Sequence, residues 1–277
     1  MSIVDRGDLA GARRVVVKVG SSSISGENRD KIAPIVHALA QAHARGTEVV
    51  LVSSGAIATG MPYLALDERP SDLATQQAAA AVGQNVLIYR YQDALRPFGV
   101  VAGQVLLTAG DLEHATPRSN ARRAMERLLG LRILPIVNEN DTVATHEIRF
   151  GDNDRLAALV ARLLGADALV LLSDIECLYT RPPSEPGAQP IDRVAWDDDL
   201  DEFEFGATVV NSVGTGGAAT KASAAKLASA AGIGVLVTSA DLVSEALEGR
   251  TVGTWFEPDP SAEATIATGT VRAASSQ

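Results

Sequence analysis

The chain holds a single cysteine, Cys177, among 277 residues. No disulfide can close within it, so a disulfide-stapled fold is excluded and a reducing compartment fits. Aromatic residues make up only 4%. The core must then be built from Ala, Val, Leu and Ile, which suits helices layered on a sheet. The four histidines (His37, His43, His114, His146) show no H-x-x-x-H spacing and have no cysteine partners, which leaves no zinc-binding pattern. Positive charge is scarce, with 24 basic against 34 acidic residues and a net charge of −10. No nucleic-acid partner is expected, because such a surface needs a basic patch. No stretch approaches the roughly 18 uncharged apolar residues of a membrane span. The N-terminus, Met1 to Arg6, is polar from the start and lacks the apolar centre of a signal peptide. These absences together read as a cytoplasmic protein with no membrane association.

Several motifs are missing too. No G-x-x-x-x-G-K-S/T, no G-x-G-x-x-G after the first strand and no G-x-S-x-G occurs, which leaves a Walker loop, a standard dinucleotide fold and a serine-hydrolase elbow without support. The lone thiol of Cys177 sits in the apolar run Ile175 to Tyr179, where inert filler is favoured over a nucleophile or ligand. The acidic run Asp197, Asp198, Asp199, Asp201, Glu202 and Glu204 fits a solvated face better than a cation site.

What is present is 46% hydrophobic and organised in short runs. Val15–Val17, Val49–Val52, Ile133–Val137, Ala168–Leu172 and Val235–Val237 read as buried strands, with Val100 to Leu107 as a sixth. They lack clean alternation, as strands covered on both faces do. Helical patterns lie between them: Asp30 to Arg45 stopping before Gly46, Ser71 to Arg96 with a break near Gly83, and Thr116 to about Leu131 with Pro117 at the first position. Arg155 to Leu164 and Thr220 to Ala231, ended by Gly232, complete them. The fold class is α/β, a three-layer α/β/α sandwich around a mostly parallel sheet. Residues 1–257 form the domain. Thr180 to Pro190 is a surface loop, Ala144 to Phe150 one arm of a hairpin, and 258–277 a mobile low-complexity tail.

In parallel α/β sheets ligands gather at the C-terminal ends of strands. Lys18-Val19-Gly20-Ser21 follows the first strand and suits a phosphate, or equally a surface lysine before a turn. Ser53-Ser54-Gly55 follows the second and fits an anion site, though taken alone a plain serine cap with a glycine turn is the favoured reading. Asn138-Glu139-Asn140-Asp141 ends an apolar strand with donors and acceptors, as an amino-acid ligand requires, and Asp141 could accept from an α-ammonium. Gly151-Asp152-Asn153-Asp154 precedes an amphipathic helix. A cap accounts for one or two of these residues, but not for two carboxylates flanking an amide; such a cluster can position cations around phosphates. Ser173-Asp174 ends the next strand. Gly214-Thr215-Gly216-Gly217-Ala218-Ala219-Thr220-Lys221 opens a helix with glycines and a lysine, a pattern suited to phosphate.

Taken in order and spacing, these five main motifs resemble the amino acid kinase family from about Arg13 to Phe256. Val137 to Leu156 and Gly103 to Thr108 most resemble those members that phosphorylate L-glutamate in the first step of proline biosynthesis. The resemblance implies transfer of a phosphoryl group from ATP, with Mg²⁺, to the γ-carboxylate of L-glutamate. It places Lys18 and Lys221 on the transferring group and has Asp154 organise them. Ser54, Asp141 and Asn153 would hold glutamate. Lys18, Ser173, Asp174, Thr215, Gly216, Gly217, Ala218, Ala219, Thr220 and Lys221 would contact ATP. No metal ligand is assigned. A γ-carboxylate has a pKa near ~4.3 and is already an anion, so no general base is needed. The difficulty is joining two anions, which positive charge and positioning relieve.

Departures are also visible. Many of these relatives carry a C-terminal PUA domain, and the tail here is too short for one. The family often has methionine where Ala218 stands, and Glu176-Cys177 replaces a small turn. The resemblance further implies feedback inhibition by L-proline and a homo-oligomer, dimer or tetramer. The alternatives are a sibling kinase acting on N-acetylglutamate, aspartate or UMP, and a non-catalytic amino-acid-binding regulator on the same fold.

Overall fold

A computed structural model describes residues 3–144, 153–203, 205, 210–211, 214–215 and 217–262. The elements run β1 (Arg14–Val19), α1 (Ile32–Ala44), β2 (Glu48–Ser53), α2 (Ala56–Gly60), α3 (Leu73–Leu95), β3 (Ala102–Leu107), α4 (Ala109–Glu113) and α5 (Ala115–Gly130). They continue with β4 (Leu134–Glu139), α6 (Asn153–Leu164), β5 (Ala168–Ser173), β6 (Arg193–Val194), β7 (Val210–Asn211), β8 (Gly214–Thr215), α7 (Ala218–Ser229), β9 (Gly234–Ser239), α8 (Val243–Leu247) and β10 (Thr254–Phe256). All six expected strands are present.

The main sheet has the order β3-β4-β2-β1-β5-β9-β10-β6 among the described residues. Its strands from β3 to β9 are parallel, and β10 runs antiparallel to β9. Strand side chains alternate between two cores. Val15, Val17 and Val19 join Leu51, Ile136, Val170 and residues of α1, α3 and α8 in one core. Val16 joins Val50, Val137, Leu171 and residues of α5, α6 and α7 in the other. This is the expected α/β/α sandwich. It also explains why the strand runs show no alternation in sequence, because both faces are apolar.

The same parity decides where polar residues at the strand ends point. Lys18 shares the face of Val16, toward α6 and α7. Ser53 and Asn138 share the face of Leu51 and Ile136, toward α3.

All five expected helices are present, each with its start shifted by one or two residues; α1 opens at Ile32 and α6 at Asn153. Helix α3 is unbroken over 23 residues. Gly83 is not a break but a crossing point: a Cβ there would sit 1.8 Å from Ala56 O, and one at Gly60 would sit 1.9 Å from Ala79 O. The backbones of α2 and α3 touch at these two glycines. Gly83→Ala gains roughly 1 kcal/mol of helix propensity but must force the helices apart. A net loss of about 1–3 kcal/mol is expected, read as a lower denaturation midpoint in urea; an unchanged midpoint would show that the crossing is soft. Helix α5 opens at Ala115, which puts Pro117 in the third position; the proline is still within the first turn, where its missing N–H has no intrahelical acceptor. Helix α7 opens two residues before Thr220 and ends at Ser229.

The loop between Thr180 and Pro190 is irregular, as expected, with a bridge from Tyr179 to Pro190. The proposed hairpin arm lies outside the described residues apart from Ala144, as does the tail beyond residue 262. Arg6 is buried and clamps the N-terminal segment to the far side of the sheet, donating to Val252 O, Gly253 O and Asp192.

Candidate active site

Parallel strands β1, β2, β4, β5 and β9 all end at one edge of the sheet, and the polar motifs lie along it. Lys18 is the fifth of six residues in β1, registered against Val52 of β2 and Leu171 of β5. Helix α6 starts over this edge with Asn153 and Asp154, both buried. Helix α7 starts beside it with Lys221 in its first turns.

Asp154 is fully buried, at 0% exposure, between two buried lysines. Its Oδ1 lies 2.6 Å from Lys18 Nζ, and Lys221 Nζ donates to its Oδ2 at 3.0 Å. A carboxylate taken out of water is costly unless it is paired. Burial pushes the Asp154 carboxyl upward, but the two ammonium groups outweigh that and hold it below its ordinary range. Two ammoniums against one carboxylate leave one net positive charge on this cluster, in a protein whose net charge is −10. That local excess suits a phosphoryl group. Thr220 packs beside the cluster: its Oγ1 accepts from Gly217 N at 3.0 Å and lies 3.5 Å from Asp154 Oδ2.

Asn153, the neighbour of Asp154, faces a different set of groups. Its Nδ2 donates to Ser53 O at 2.7 Å and to Asn138 Oδ1 at 2.9 Å. Consecutive residues at one helix start thus serve two halves of the site, one cationic and one built from amides. Asn138 Nδ2 donates to Gln84 Oε1 of α3 at 2.8 Å. Ser53 Oγ is 2.9 Å from the hydroxyl of Tyr91, whose pKa burial pushes upward. Ser54 and Asp141 flank this amide half as partly buried residues. Gly55 starts α2 without a serine cap, and its φ of +89° is a left-handed conformation that favours glycine.

The remaining candidates lie around the edge rather than in the cluster. Ser173 Oγ donates to Asp174 at 3.1 Å at the end of β5, and Asp174 is exposed. Ala218 and Ala219 are half-buried in the first turn of α7. Thr215 pairs with Val210 through the β7–β8 ladder. Gly151, Asp152 and Gly216 lie outside the described residues. Cys177 is half-buried, and burial raises its thiol pKa. Asp197, Asp199, Asp201 and Glu202 are exposed and Asp198 is half-buried. Among the described residues no helix is long and apolar enough to cross a membrane.

Sequence reasoning missed Gln84, Tyr91 and the buried role of Asn138. The available signal was weak: Gln77, Gln84 and Tyr91 recur every seven residues along α3, two of them polar where a core-facing stripe should be apolar.

A model of the amino acid kinase family matches residues 13–239. The chain belongs to the amino acid kinase family. Within the family its relatives include a protein of Leifsonia xyli subsp. xyli named glutamate 5-kinase, 69% identical over 93% of this chain and 96% of that one. A glutamate 5-kinase of Clavibacter sepedonicus is also 69% identical, over 93% and 99%. One from Salinispora arenicola is 53% identical over 92% of this chain and 70% of its own length. The family fold is matched by carbamate kinase from Giardia lamblia, at TM-score 0.65 and 16% identity over 90% of this chain and 100% of that one. Isopentenyl phosphate kinase matches at TM-score 0.62 and 20% identity, covering 88% and 99%.

Proposed function

We propose that this member of the amino acid kinase family is a glutamate 5-kinase, transferring the γ-phosphoryl group of ATP to the γ-carboxylate of L-glutamate to give L-glutamyl 5-phosphate and ADP. The observation that carries this reading is the buried Lys18–Asp154–Lys221 cluster next to the amide half of the site, in a chain 69% identical to glutamate 5-kinases. The cationic half receives the phosphoryl group, and the amide half receives the amino acid.

In this reading the carboxylate attacks in line, and Lys18 and Lys221 neutralise charge on the equatorial phosphoryl oxygens. Asp154 holds the two ammoniums apart at fixed positions, so little reorganisation is needed during the reaction. Ser54, Asp141 and Asn153 bind glutamate. Ser173, Asp174 and residues 215–221 bind the nucleotide. Mg²⁺ bound with ATP would supply further positive charge to the phosphates, and the exposed carboxylate of Asp174 has the donor chemistry to hold it. Inhibition by L-proline and assembly into a homo-oligomer follow from the family resemblance, and a cytoplasmic location follows from the pathway.

A coupled assay of ADP release across L-glutamate, L-aspartate, N-acetylglutamate and UMP tests the assignment. Turnover with glutamate and little with the other three is expected, reduced when L-proline is added. Turnover with UMP and none with glutamate would overturn the reading, and no turnover with any acceptor would favour a binding regulator.

A further inference from the structure

Gln77, Gln84 and Tyr91 are spaced by seven residues, two helical turns, and so share one face of α3. Gln84 and Tyr91 reach the amide half of the site, and Gln77 reaches the chain just after the Asn138–Asp141 turn. Gln77 Nε2 donates to Ala144 O at 3.3 Å, Gln84 Oε1 accepts from Asn138 Nδ2 at 2.8 Å, and Tyr91 meets Ser53 Oγ at 2.9 Å. The Gln84–Asn138 bond is shielded, with the residues 8% and 2% exposed. Gln84 also follows Gly83, where α3 touches α2, so its place along the sheet edge is fixed by backbone contact.

Two backbone groups set the sense of this amide chain. Glu139 N can only donate, and it faces Asn138 at 2.9 Å, so the facing atom is Oδ1. Asn138 therefore turns its NH₂ to α3, where Gln84 must offer an acceptor. Ser53 O can only accept, so Asn153 turns its NH₂ to it and to Asn138. Both N–H bonds of Asn153 are then committed to protein. Its remaining polar atom is the carbonyl oxygen, an acceptor.

We infer that Gln84 is a positioning residue for the amino-acid subsite: it anchors Asn138, Asn138 anchors Asn153, and Asn153 presents an acceptor to the α-ammonium of the substrate. This rests on the glutamate-binding reading above. Without the Gln84 acceptor, a buried N–H of Asn138 has no partner. The side chain then turns to find one and takes the Asn153 amide with it. The lysine cluster does not depend on this bond.

The test compares the parent with Gln84→Met, which keeps the volume without the acceptor, and Gln84→Glu, which restores one. Gln84→Met should raise KM for glutamate roughly 10-fold, the scale of one unsatisfied buried donor, with KM for ATP and kcat little changed. Gln84→Glu should return KM toward the parent value. Calorimetric titration with glutamate in the absence of ATP gives the same comparison without turnover, and thermal melting verifies that both variants fold. Unchanged glutamate affinity in Gln84→Met, or equal losses in kcat and in both KM values that Gln84→Glu does not rescue, would overturn the inference. Should the parent prefer a different acceptor, the glutamate assignment falls by itself, and the same KM comparison is made with the acceptor it uses.

Discussion

Replacing Lys221 by methionine is expected to lower kcat for glutamate-dependent ADP release by about 10²–10³-fold, the cost of removing one preorganised donor to a developing oxyanion. The reasoning starts from charge. Lys18 and Lys221 hold the same carboxylate through its two oxygens, at 2.6 and 3.0 Å. Removing one ammonium takes the cluster from one net positive charge to none, so the attraction for the phosphoryl group at the sheet edge is lost. The amide half, with Asn153 bonded to Ser53 O and Asn138, keeps its bonds. KM for glutamate should therefore move much less than kcat, which is the signature of an interaction made mainly in the transition state. Steady-state kinetics with glutamate and ATP varied in turn measure both. A kcat equal to the parent's in a folded preparation would remove Lys221 from the mechanism.

The second large effect is on stability. Asp154→Asn leaves two buried ammonium groups facing each other without a countercharge. Breaking a buried ion pair from one side costs roughly 3–5 kcal/mol, and each kcal/mol is worth about 2–4 °C of Tm in a chain of this size class. A drop on the order of 10 °C is expected by differential scanning, together with loss of activity. The pH dependence has a definite sign. The Asp154 carboxyl is held below its ordinary range in the folded state, so its contribution is complete above the unfolded pKa near ~3.9. It is lost only as pH falls through the lower folded value. Urea unfolding of parent and Asp154→Asn should show a constant gap from neutral pH to mild acid, closing only in strong acid. A gap that closed between neutral pH and pH ~5 would mean that the carboxyl is not depressed.

Legibility in the sequence varied by feature, for physical reasons. Five of the six strands could be read because each is a dense apolar run covered on both faces; β3, at the end of the sheet, is only half-buried. Helix starts were displaced by one or two residues, because caps and first turns share the same small polar residues. Gly83 misled: in sequence a glycine inside a helix reads as weakness, whereas in space it lets two backbones touch. The lysines and Asp154 could be picked out as candidates because each stands in a polar or glycine-rich motif at a strand end or helix start, in the order of the family pattern. Gln84 and Tyr91 could not, since a glutamine or tyrosine on a long helix looks like any surface or core residue until its partner is known; Asn138 stood in a recognised strand-end motif, but its bonds to Gln84 and Asn153 were not legible.

The sequence by itself determined the layered α/β class and the edge at which polar motifs collect, and through its family resemblance it offered Lys18, Asp154 and Lys221 as candidates. The class and the edge follow from apolar density and strand-end position, and the three residues from the order and spacing of the motifs that hold them. Only the tertiary structure decided that Asn153 and Asp154 serve different halves of the site, and that α3 supports the amide half. The reason is strand parity combined with helix crossing. Lys18 faces α6 and α7 while Ser53 and Asn138 face α3, and the glycine contact at Gly83 fixes where along that edge Gln84 lies. Bonds between residues 54 and 100 positions apart, Gln84 to Asn138 and Asn153 to Ser53, depend on how the layers stack, and no local pattern encodes them.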